Sequence, residues 1–148
     1  MRSIITEGVK ETKKLAAELA KKLTKKKISK ALVVALSGEL GSGKTTFTKG
    51  FSRALEVREK VLSPTFVLIH RHKLQVSRFK FQVLYHIDAY RLKSGKDLLK
   101  LNIKEIFNNP KNIVLIEWAD RVKKIIPKNA TWIHFDHLGE NKRKVIIR

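Results

Sequence analysis

The sequence predicts an α/β protein with a mixed central β-sheet flanked by helices, in a single domain over residues 1–148. Three observations carry that expectation. Ala31 to Leu36 (A-L-V-V-A-L) is an uninterrupted apolar run, as in a strand buried on both faces, and it leads through a glycine-rich loop into a segment of helical spacing. Asn112 to Glu117 (N-I-V-L-I-E) is a second run of the same kind. Between them, Phe79 to Ile87 sets Phe79, Phe81, Val83, Tyr85 and Ile87 at every second position, the period of a strand.

The elements follow in order. About Gly8 to Lys27, the residues Val9, Thr12, Leu15, Ala16, Leu19, Ala20 and Leu23 form one stripe at helical spacing. Lys25, Lys26 and Lys27 would close that helix, where the macrodipole favours cations. After the strand at Ala31 to Leu36 and the loop Gly38 to Thr45, a helix over Thr46 to Glu56 turns Phe47, Gly50, Phe51, Ala54 and Leu55 inward. Val61 to His70 is broken at Ser63-Pro64 and reads as extended from Thr65, pairing with Phe79 to Ile87. Their connection, Arg71 to Lys80, holds Arg71, Lys73, Arg78 and Lys80 with no acid, and is the candidate basic finger. Asp97 to Phe107 reads as one or two short helices. Pro127 ends the helical stretch after Glu117, and Thr131 to Asp136 with Lys144 to Ile147 form a terminal hairpin around Gly139.

Composition narrows the function. No apolar run nears the ~20 residues of a spanning helix, and the start of the chain has no apolar signal core, so the expected address is the cytoplasm, away from any membrane. There is no cysteine, which removes disulfides, thiolate zinc sites and cysteine nucleophiles. Lys and Arg number 33 against 13 Asp and Glu, a net charge of +20 that would attract polyanions such as RNA. A lysine-rich solvated surface would give the same total.

The chemistry is concentrated in Gly38 to Thr45, G-E-L-G-S-G-K-T, which satisfies G-x-x-x-x-G-K-[ST] between a strand and a helix. Glycines let successive backbone N–H groups face phosphate oxygens, and the helix adds its positive end. Lys44 would reach the β- and γ-phosphates, and the Thr45 hydroxyl would ligate magnesium. This predicts a P-loop fold. Glu117, closing a second buried strand, is the candidate Walker B acid, and Asp88 in His86-Ile87-Asp88-Ala89-Tyr90-Arg91 is its rival for positioning water. No N-K-x-D guanine-selecting tetrapeptide occurs, since Asn141-Lys142-Arg143-Lys144 lacks the acid, so ATP is expected over GTP.

Taken in order, Gly38-Glu-Leu-Gly-Ser-Gly-Lys-Thr-Thr46, Ser63-Pro-Thr-Phe66, His86-Ile-Asp-Ala-Tyr-Arg91 and Ile116-Glu-Trp118 resemble the bacterial TsaE (YjeE) family of small P-loop ATPases, over about Thr12 to Arg143. The resemblance implies an ATPase, slow alone, that assists the TsaD and TsaB proteins in making threonylcarbamoyladenosine next to the anticodon of tRNA. It implies that Gly38, Glu39, Leu40, Gly41, Ser42, Gly43, Lys44, Thr45 and Thr46 hold ATP, with Thr45 and Glu117 on the Mg2+ side. Asp88, Glu117 and Lys44 would be catalytic. Ser63 to Phe66, with Thr65, would be a switch-like loop near the γ-phosphate, and Trp118, Thr12 and Arg143 would lie near the nucleotide. Trp118 reads equally as a core residue. Ala89 stands where the family usually has leucine, and Asn102 where it commonly has glycine.

Overall fold

Alternation along the two apolar runs decides the layers. The computed structural model describes residues 1–57, 68–75 and 80–148. In β2 (Leu32–Gly38), Leu32, Val34 and Leu36 face one side and Val33 and Ala35 the other, and all five are buried. The first side packs under α1 (Val9–Leu23) and α2 (Lys44–Ala54), with Phe47, Phe51 and Leu115 at its centre. The second packs under α3 (Lys96–Leu99), α4 (Ile103–Asn108) and a 3-10 segment, Ala119–Ile125. Each strand residue therefore loses apolar surface to one helix layer or the other, worth about 25 cal/mol per Å2.

With β1 (Arg2–Glu7), β3 (Ile69–Lys73), β4 (Val83–Asp88), β5 (Asn112–Glu117), β6 (Thr131–His137) and β7 (Lys142–Ile147), the described strands form one sheet in the order β1-β7-β6-β2-β5-β4-β3. The centre is parallel, β2 lying between β5 and β6, with β4 beside β5. The outer pairs β1–β7, β6–β7 and β3–β4 are antiparallel, which makes the sheet mixed, as expected. The register sets Asp88 directly beside Glu117 at the carboxyl ends of β4 and β5. Ligands of open α/β sheets bind at that edge.

Several boundaries differ from the sequence reading. β1 was not expected; it is an edge strand whose partner is the last strand of the chain. α1 ends at Leu23 with Thr24 as its cap, so Lys21 and Lys22 occupy its last turn and Lys25 to Lys27 lie beyond it. Val9, expected on the inward stripe, is exposed at the first turn. α2 starts at Lys44, two residues early, because Gly43 adopts φ 107° as its cap. Arg71 and Lys73 sit on β3, not in a connection, and Arg78 lies outside the described residues, as does the break at Ser63-Pro64. Asn102 has φ 58° before α4, a left-handed conformation that glycine adopts freely and asparagine tolerates.

Two glycines are fixed by close approach. A Cβ on Gly38 would lie 2.5 Å from the Phe135 carbonyl oxygen, and one on Gly50 would lie 2.8 Å from the Lys13 backbone, where α1 crosses α2.

Candidate nucleotide-binding site

The loop between β2 and α2 carries three positive φ angles, 139° at Gly38, 74° at Gly41 and 107° at Gly43. Residues with Cβ are strained there, and glycine makes the turn without penalty. The loop ends on the amino terminus of α2, which has no acid in its first turn and no side-chain cap. Its unpaired N–H groups and positive dipole end suit an anion.

Lys44 is buried, and its Nζ donates to the carbonyls of Gly38 (2.6 Å) and Glu39 (2.7 Å) and to Ser42 Oγ (3.2 Å). Burial lowers its pKa, and Glu117, Asp120 and Asp88 resist that shift. The cation also lies 3.9 Å from the centroid of the Trp118 ring. Trp118 takes φ 57° directly after β5, which turns its half-buried ring toward the loop. Its other neighbours are Tyr90, at 4.9 Å between ring centroids, and the guanidinium of Arg121.

The acids divide by environment. Glu117 is 1% exposed, and its two oxygens have separate partners: Oε1 accepts the Thr45 hydroxyl at 2.8 Å, and Oε2 takes His86 Nε2 at 2.5 Å. His86, on β4, is itself fully buried. Asp88 is half-buried, and its Oδ1 accepts the backbone N–H of Tyr90 at 3.0 Å.

A cavity of about 280 Å3 opens over these groups, lined by Leu40 through Thr46, Asp88, Glu117 and Trp118. Thr12 and Arg143, from the two ends of the chain, line it as well. Thr12 Oγ1 donates to the Gly8 carbonyl at 3.1 Å, so the Thr6 hydroxyl, 2.9 Å away, donates to it. Arg143 reaches the loop itself, donating to the Gly41 carbonyl at 3.2 Å and to Gly139 at 3.0 Å. Gly38 and Glu39 stand behind the cavity and present carbonyls to Lys44. Thr65 and the rest of Ser63 to Phe66 lie outside the described residues.

Sequence reasoning overlooked Gly8, Val9 and Asn141, which also line the cavity. No motif marks them. Tyr90 and His86 were noted only as neighbours of Asp88, whereas one forms the cavity wall and the other holds Glu117.

The donor set fits a magnesium–phosphate ligand. Thr45 and Glu117 offer hard oxygens, and Mg2+ characteristically takes one or two such ligands together with water and substrate phosphates. Among the described residues no three His, Asp or Glu side chains cluster as a metal cage, so an ion here would lean on oxygens of a bound phosphate. Among the described residues no helix is long and apolar enough to cross a membrane.

Comparison with known proteins agrees with this geometry. Residues 6–145 match the family model for threonylcarbamoyl adenosine biosynthesis protein TsaE. The chain is 36% identical over 141 residues to the tRNA threonylcarbamoyladenosine biosynthesis protein TsaE of Rickettsia felis, covering 95% of this chain and 75% of that one. It is 34% identical over 144 residues to the Bacillus subtilis protein of that name, covering 97% and 81%. The crystal structure of Bacillus subtilis YdiB superposes with a TM-score of 0.70 at 28% identity, over 97% of this chain and 82% of that one. With a P-loop at the carboxyl edge of a mixed sheet and a family match over nearly its whole length, this chain belongs to the TsaE family, which takes part in tRNA threonylcarbamoyladenosine biosynthesis.

Proposed function

We propose that this protein binds Mg-ATP at Gly38 to Thr46 and hydrolyses it, slowly alone and faster in a cytoplasmic complex with TsaD and TsaB that modifies the tRNA adenosine next to the anticodon. The observation that carries the reading is the 2.8 Å hydrogen bond from Thr45, the second residue of α2, to Glu117 at the end of β5, beside a buried lysine. That joins a P-loop hydroxyl to a strand-end acid. A tight turn with no ligand would have no use for it.

The residues divide the work as follows. Lys44 exchanges the carbonyls of Gly38 and Glu39 for β- and γ-phosphate oxygens, which stabilise its charge better than a desolvated pocket does. The loop N–H groups and the α2 terminus bind the remaining phosphate oxygens. Thr45 and Glu117 would hold magnesium, which would supply positive charge against the phosphates. His86 keeps one Glu117 oxygen engaged, which fixes the direction of the other. Asp88, less buried and beside Glu117 in register, orients water at the open side. Trp118 covers Lys44 and keeps bulk water from the phosphates.

The test measures nucleotide binding and ADP release with TsaD and TsaB present. Asp88→Asn and Glu117→Gln should keep ATP affinity within about threefold and lose at least about tenfold in hydrolysis, since the amides keep shape and remove charge. ADP release that depends on an added nucleoside acceptor, and not on the partner proteins, would refute the reading.

A further inference from the structure

The two ends of the sheet carry different groups. At the carboxyl ends of β2, β4 and β5 lie the nucleotide loop and the acids Asp88, Glu117 and Asp120. At the amino ends, four separate stretches of chain converge, and each brings lysine. α1 starts at the nucleotide cavity and runs ~22 Å to the far pole, delivering Lys25, Lys26, Lys27 and Lys30 in the turn before β2. Lys80 Nζ donates to the Lys26 carbonyl, which places the segment before β4 against that turn. Lys111 precedes β5, its carbonyl accepting the Gln82 N–H at 2.7 Å, and it stands level with Lys30, each two residues before the paired positions Leu32 and Ile113. Lys73 ends β3 opposite Val83, the first residue of β4. All seven are exposed.

Acids are missing from these stretches. None occurs between Glu18 and Glu39, between Glu59 and Asp88, or between Glu105 and Glu117. Several lysines elsewhere share their segments with acids, Lys10, Lys13 and Lys14 with Glu11, Lys96 and Lys100 with Asp97, and Lys123 and Lys124 with Asp120, whereas Lys44 and Lys49 on α2 do not. What distinguishes the amino ends is that four stretches meet there with lysine and no acid among them. The large apolar side chains that the described residues expose include one aromatic, Tyr90, and it lies at the nucleotide cavity. Among the described residues the pole therefore offers cations without a base-stacking platform, and stacking is what single-stranded RNA requires.

We propose that this amino-end pole, formed by Lys25, Lys26, Lys27, Lys30, Lys73, Lys80 and Lys111, docks the phosphate backbone of helical RNA, leaving the nucleotide site on the opposite pole free to turn over. The surface is read from charge and topology; only the identification of the RNA as tRNA rests on the function proposed above. Contacts of this kind position an RNA and do not read its sequence.

The test is a salt titration of binding to a short RNA duplex and to a tRNA transcript, with circular dichroism confirming the fold. A variant with all seven lysines changed to Gln is compared with one in which Lys10, Lys14, Lys49, Lys96, Lys100, Lys123 and Lys124 are changed to Gln. The first should lose more than about tenfold in affinity near 0.1 M salt and about 4 to 6 in the slope of log affinity against log salt, at up to ~0.9 per phosphate contact. The second should lose less than about threefold and keep most of its slope. Equal losses in both variants, or a wild-type slope in the first, would overturn the proposal. So would wild-type binding to vesicles of equal parts phosphatidylglycerol and phosphatidylcholine without binding to the duplex. Mg-ATP affinity should be unchanged in both variants. A wild-type protein that bound RNA through this pole but failed to bind Mg-ATP would overturn the proposed function and leave the RNA surface standing.

Discussion

His86→Ala removes the donor that engages Glu117 Oε2 while leaving Thr45 on Oε1. Both His86 and Glu117 are at most 1% exposed, so water cannot replace the lost partner without opening the sheet. A hydrogen bond to a charged group contributes about 1.5–3 kcal/mol, and leaving a buried acceptor without its donor costs about 1–3 kcal/mol or more. With the cavity left by the ring, we expect a loss of about 4 kcal/mol of unfolding free energy, or ~8–16 °C in Tm for a chain of this size. The assay is urea unfolding followed by far-ultraviolet circular dichroism for wild type, His86→Ala, Glu117→Gln and the double variant. Because Gln at 117 carries no charge to strand, the double variant should lose about 1–2 kcal/mol less than the sum of the single losses. Additivity within about 0.5 kcal/mol would show that the two side chains do not act on each other, and would remove His86 from its positioning role.

Other outcomes follow from the same geometry. Gly38→Ala sets a Cβ 2.5 Å from the Phe135 carbonyl at φ 139°, and should cost more than about 2 kcal/mol in urea unfolding; a loss under 0.5 kcal/mol, roughly the surface-substitution range, would contradict the loop geometry. Thr45→Ala should weaken ATP binding more with magnesium than with EDTA, because only the hydroxyl ligand is lost; equal weakening in the two titrations would remove Thr45 from the metal side. His70 has its pKa lowered by burial and by His86 and His72, so on acidification the unfolded chain takes up the proton first. Stability from this group is full above 6.5 and falls as pH drops below it, and His70→Asn should flatten the urea midpoint against pH in that window. An unchanged slope would mean that His70 titrates alike in both states.

What was legible in the sequence was what short stretches encode. The run Ala31 to Leu36 followed by glycines could be little but a buried strand entering a phosphate loop, and the structure places β2 and α2 around it within two residues. Asn112 to Glu117 was readable for the same reason, and its bounds are those of β5. Contacts between distant stretches were not legible. β1 pairs with β7 across almost the whole chain, and a strand of R-S-I-I-T-E carries too little apolar pattern to announce itself. The bond between His86 and Glu117 needs the register of β4 on β5, and Arg143 meets Gly41 only because β7 folds back beside β6. The charge total was plain from composition, but which lysines meet at the amino ends of the strands depends on where α1 ends and on the register of β3 against β4.

The central claim is that the loop binds Mg-ATP through Lys44, and calorimetric titration of wild type and Lys44→Ala tests it directly. Nζ is buried and donates to the loop's own carbonyls, so its removal takes away the one side-chain cation of the loop that lines the cavity, without removing a contact inside the helices or the sheet. Wild type should bind Mg-ATP, and Lys44→Ala should show no measurable heat of binding while keeping its circular dichroism spectrum. Equal affinity in the two folded proteins would contradict the account.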